Sequence, residues 1–91
     1  MAAIESERTP NPNSLKFTDP DGRFFHDDIV AISSQDEAGR HELGEQLFAL
    51  TGVEDVFITP EFVTVSKTAG TDWNELQGEI ESTLADYLDS Q

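Results

Sequence analysis

The chain contains no cysteine. That removes a disulfide framework, a thiolate nucleophile, a Cys-ligated zinc site and a Cys-ligated iron–sulfur cluster within this chain. Positive charge is also scarce. Five Lys and Arg stand against nineteen Asp and Glu, a formal net charge of −14 over 91 residues. The lysines are Lys16 and Lys67, and the arginines are Arg8, Arg23 and Arg40. Such a surface repels nucleic-acid phosphates and is disfavoured at anionic membranes, so neither partner is expected. No apolar run approaches the length of a membrane span. The opening MAAIESER lacks the basic-then-apolar pattern of a signal peptide, and a cytoplasmic location is expected. Catalytic signatures are missing too. None of the serines sits in a nucleophile elbow and there is no Gly-rich phosphate loop, so the chain reads as a non-enzyme with no cofactor.

What is present suits one domain over residues 1–91 with a modest core. Apolar residues make up 36%, and six Phe, one Trp and one Tyr supply bulk. The acids are spread along the chain rather than gathered in a tail, as in a surface adapted to high salt.

The densest local signal is TPNPNSLKF, residues 9–17. Two X-Pro steps disfavour helix, and the asparagines turn the chain by bonding their own backbone. Leu15 and Phe17 share one strand face, with Lys16 on the other. Residues 2–8 hold few strand formers, so a strand there depends on tertiary pairing. TDPDGR, 18–23, is a turn cluster, and a strand is expected near 29–32. Ser34 and Glu37 form a capping box for a first helix, whose stripe is Leu43, Leu47 and Leu50, with Gly52 as its stop. VEDVFI and FVTVSK make a hairpin around Thr59-Pro60-Glu61. Val56, Ile58, Val63 and Val65 form its aliphatic side, and Phe57 and Phe62 lie on the other. Thr71 or Asp72 caps a last helix with Trp73, Leu76, Ile80, Leu84, Tyr87 and Leu88 on one side. The expected fold is an α+β two-layer sandwich (ββαββα): a mostly antiparallel sheet of about four strands with two helices on one face.

The candidate ligand or partner surface is Thr9, Asn11, Asn13, Ser14 and Lys16, joined by Lys67 at the end of the hairpin. Amides, hydroxyls and a point charge make a polar recognition site, and a positive spot on so acidic a chain attracts an anion. The plainer alternative is a turn that sets strand register, with two separate strand-end lysines. His26-Asp27-Asp28 and His41-Glu42-Glu45 are acidic clusters with a histidine, but no spacing selects a metal. Phe57 and Phe62 are either an exposed aromatic patch or a face covered by the segment carrying Phe24 and Phe25.

TPNPNSLKF, then EQLFALTGVEDVFITPEFVTVSK, then DWNEL before an amphipathic helix, together resemble the N-terminal domain of Nfu/NifU-type iron–sulfur scaffold proteins. The resemblance spans nearly the whole chain and is weakest over residues 18–33. It implies an α+β domain linked to iron–sulfur cluster assembly. In full-length scaffolds the cluster is held by a C-x-x-C pair in a separate domain, so no cluster ligand transfers to any position here. The leading expectation is a non-catalytic accessory or protein-interaction module. It would contact another assembly protein or a client and would not itself be a cluster ligand. The alternative is a small binding domain for an anionic, for example phosphorylated, peptide or metabolite at the TPNPN loop. A third reading is an acidic metal-binding protein.

Overall fold

A computed structural model describes residues 4–20, 25, 28–39 and 41–90, with the side chain of Gln35 excepted. Five strands form one antiparallel sheet: β1 (Glu5–Arg8), β2 (Ser14–Thr18), β3 (Val30–Ile32), β4 (Val53–Ile58) and β5 (Phe62–Lys67), in the order β1-β2-β5-β4-β3. The helical segments are α1 (Gln35–Ala38), α2 (Glu42–Phe48) and α3 (Trp73–Asp89).

Register follows from the apolar alternation. Leu15 pairs with Val65, Val65 with Val56 and Val56 with Ile32, giving one apolar row across four strands. Phe17, Val63, Ile58 and Val30 make the next row. A slip of one residue in any strand would turn that strand's apolar side chains to the opposite face, so burial of one face pins all four. Leu43 and Leu47 of α2, with Leu76, Ile80, Leu84 and Leu88 of α3, bury against these rows in a single core cluster. The helices therefore cover one face, and the fold is the expected α+β sandwich.

Two details differ from the sequence expectation. The sheet has five strands rather than about four, because Glu5–Arg8 forms an edge strand although all four residues are exposed. Pairing with β2 holds it, and Gln77 Nε2 of α3 donates to Ser6 Oγ at 2.6 Å. Neither interaction can be read from the segment's own propensities.

The first helix is also not continuous. The Ser34 cap forms, with Glu37 N donating to Ser34 Oγ at 3.3 Å and Ser33 N to Glu37 Oε1 at 3.2 Å. The turn ends after Ala38, and a second helix restarts at His41, whose Nδ1 accepts from Gly44 N at 3.1 Å. A new cap outweighs continuation through the Gly39 region, where helix propensity is poor. α2 ends at Phe48, so Leu50 lies beyond it and is only half-buried. Gly52 has φ +96°, the left-handed conformation expected of the glycine that turns the chain into β4.

Candidate functional site

The TPNPN loop joins β1 to β2 and is closed by its own hydrogen bonds. Asn13 N donates to Asn11 Oδ1 at 2.9 Å, an Asx turn, and Ser14 N donates to Asn11 O at 3.0 Å. Thr9 Oγ1 donates to Asn11 O at 2.9 Å. Two long-range bonds then fix the loop to the body. Lys67 N donates to Asn13 O at 2.8 Å, and Trp73 Nε1 donates to Pro12 O at 3.1 Å.

Lys67 completes this knot. It is 7% exposed, and its ammonium donates to Asn13 Oδ1 at 3.2 Å and to Thr68 O at 3.4 Å. The same group stands 5.7 Å from the Trp73 ring centroid. Among the described residues, two neutral oxygens and a π face thus satisfy a nearly buried cation without a carboxylate.

The two lysines do not converge. β2 and β5 are neighbours, but Lys16 pairs with Thr64. Thr64 and Lys67 are an odd number of residues apart, so the lysines take opposite faces of the sheet. Lys16 reaches over the Phe62 ring at 4.7 Å on the face away from the helices. Ser14 lies on that outer face too, its Oγ 2.7 Å from Ser66 Oγ. Thr9, Asn11, Asn13 and Lys67 gather at the loop end near the start of α3.

A cleft of about 420 Å³ opens between this loop and α3. Pro10, Pro12, Leu15 and Trp73 give it apolar walls. Polar groups come from Arg8, Thr9, Asn11, Asn74 and Gln77. Arg8, Asn74 and Gln77 are not among the site residues expected from sequence, and Trp73, expected only to pack, also lines the cleft. One signal was available: an indole N–H in a first helical turn needs an acceptor, and the loop carbonyls supply one. Asp72 caps α3 beside it, accepting from Asn74 N at 2.9 Å.

On the outer face Phe57 is 38% exposed, with its ring 6.4 Å from that of Phe62. Phe25 does not cover them; it is buried in the core cluster, its N–H donating to Pro60 O at 2.9 Å. Phe24 lies outside the described residues. Among the described residues no group of three or more His, Cys, Asp or Glu is placed to hold a metal ion. His26 and Asp27 lie outside them, and His41 serves as a helix cap. No helix among the described residues is long and apolar enough to cross a membrane.

The sequence model of the family described as "Scaffold protein Nfu/NifU N terminal" matches residues 4–91. The Homo sapiens protein named "NFU1 iron-sulfur cluster scaffold homolog, mitochondrial" is 39% identical over 88 residues, covering 96% of this chain and 34% of that protein. The "NifU-like protein C1709.19c" of Schizosaccharomyces pombe is 36% identical, covering 93% of this chain and 33% of that protein. The chain thus spans about a third of the length of these curated relatives. Among solved structures, a NifU-like protein from Saccharomyces cerevisiae superimposes with TM-score 0.84 at 30% identity, covering 99% of this chain and 81% of that one. A Staphylococcus aureus protein shares the fold at TM-score 0.70 and 20% identity, covering 87% of this chain and 93% of that one. With a family match across nearly its whole length and relatives above 30% identity, the chain belongs to the Nfu/NifU N-terminal family.

Proposed function

We propose that this chain is a non-catalytic accessory module of iron–sulfur cluster assembly. It acts by contacting an assembly protein or a client, and it does not ligate the cluster. The observation that carries this reading is the family match over residues 4–91 in a chain with no cysteine. Relatives bearing the name of iron–sulfur cluster scaffold supply the pathway. The lack of thiolates, the usual ligands of such a cluster, supports a role that does not ligate it. The proposed contact surface is the TPNPN end: Thr9, Asn11, Asn13 and Lys67, with Arg8 and Trp73 added, and with Ser14, which lines the cleft although its hydroxyl meets Ser66 on the outer face. A rigid loop tied to a helix start presents its groups at fixed positions, which lowers the ordering cost of association. Lys16 belongs to the opposite face and would contribute to a separate contact.

Affinity capture with the tagged chain, followed by cross-linking, tests this. The expected result is recovery of cluster-assembly or cluster-client proteins cross-linked near residues 8–14 and 73–77. Recovery of none of them would sink the reading. Anaerobic incubation with iron and sulfide should leave the purified chain without visible absorbance.

One observation favours a second reading at the same place, a module for an anionic peptide or metabolite. Arg8 lines the cleft with no carboxylate partner among the described residues.

A further inference from the structure

The geometry points to the C-terminal carboxylate of a partner protein, following an apolar residue, as the group that the cleft between the TPNPN loop and α3 receives. This rests on the loop end being the contact surface.

The first support is the state of the basic residues. On a chain of net charge −14, an arginine normally finds an acid. Arg8 has none among the described residues, and it lines the cleft. Lys67, over the Trp73 ring, also has no carboxylate partner among the described residues; its partners are Asn13 Oδ1 and Thr68 O. Arg8 thus lines the cleft without an acid among the described residues, and the Lys67 ammonium behind the loop is bound to neutral oxygens. The second support is unused donor capacity. The Asn74 side chain and the Asn11 amide nitrogen make no hydrogen bond among the described residues, and both residues line the same cleft. A guanidinium fork with neutral amide donors matches a planar carboxylate.

Charge decides between carboxylate and phosphate. A phosphate monoester carries nearly two charges and is usually met by an arginine cluster. Here one guanidinium is free, Lys67 is held by its own partners, and Asp72 adds a negative charge at the start of α3. A single carboxylate is balanced by that arrangement and a dianion is not. The apolar walls at Pro10, Pro12, Leu15 and Trp73 then seat the side chain beside the carboxylate, in a volume at the small end of ligand pockets.

The test is a titration of the 91-residue chain, followed by Trp73 fluorescence and amide chemical shifts. The probes are acetyl-Ala-Ala-Leu with a free carboxylate, the same peptide as its C-terminal amide, and inorganic phosphate. The expected result is a saturable response to the free carboxylate at residues 8–14 and 73–77. Binding should weaken about tenfold or more for the amide, as for loss of a charge-assisted hydrogen bond. Arg8→Gln should show the same loss, and Asn74→Ala a smaller one. Both positions are exposed, so unchanged ligand-free spectra will certify the fold. Equal binding of acid and amide, no saturable response, or a response to phosphate alone would overturn the inference. Assembly proteins captured at this end without carboxylate dependence would also overturn it while leaving the proposed function standing. Carboxylate binding with no assembly protein captured would do the reverse.

Discussion

The Lys67 ammonium lies 5.7 Å from the centre of the Trp73 ring, and these two residues clamp the loop between β1 and β2. Lys67 holds Asn13 by backbone and side chain, while Trp73 holds the carbonyl of Pro12. The loop is therefore positioned by the end of β5 and the start of α3, which are far from it in sequence.

Removing the ammonium tests the clamp. Lys67→Met keeps most of the buried stem but leaves Asn13 Oδ1 without its charged donor. Stability should fall by about 1.5–3 kcal/mol, the range for a hydrogen bond to a charged group. Urea unfolding of the variant measures it. An unchanged midpoint would mean that the lysine does not tie the loop.

Trp73→Phe separates ring from donor. The π face stays and the N–H to Pro12 O is lost, so a smaller cost of about 1 kcal/mol is expected. Amide hydrogen exchange at Asn11, Asn13 and Ser14 should accelerate more than exchange in the centre of β5. Uniform acceleration would indicate global destabilisation instead of a loosened loop.

Gly44→Ala probes the contact between α2 and β3. A methyl group there runs into Ile32 Cδ1, a fully buried side chain with little room to move. Overpacking should cost about 1–3 kcal/mol, although alanine favours helix locally. Gly78→Ala in α3 meets nothing within 4 Å and should stabilise the chain by up to about 1 kcal/mol. Thermal melts of the pair should move in opposite directions.

The charge of −14 makes its own prediction. Acids are exposed on edge strand β1, at the start of β4 and along α3, and their mutual repulsion opposes the compact state. The melting temperature should rise between about 10 mM and about 1 M sodium chloride, as the Debye length falls from roughly 30 to 3 Å. A flat profile would show that repulsion does not limit stability.

Much of the fold is legible in local pattern. Alternation in VEDVFI and FVTVSK sets the hairpin and its buried face, because side chains reverse at every strand residue. The spacing of Leu76, Ile80, Leu84 and Leu88 sets the face of α3, and Asp72 marks its start. The break between α1 and α2 is half legible: Gly39 weakens the helix, but histidine is not among the residues that usually mark an N-cap, so the restart at His41 is not.

The absence of cysteine, the net acidity, the antiparallel hairpin and the two amphipathic stripes were determined by the sequence alone, since each depends only on residue type or spacing. Tertiary structure decided the fifth strand, the opposite facing of Lys16 and Lys67, and the cleft lined by Arg8 and Trp73. Those depend on which strands become neighbours and in what register. That is settled by burial of the Leu15–Val65–Val56–Ile32 and Phe17–Val63–Ile58–Val30 rows, far along the chain from the loop they place.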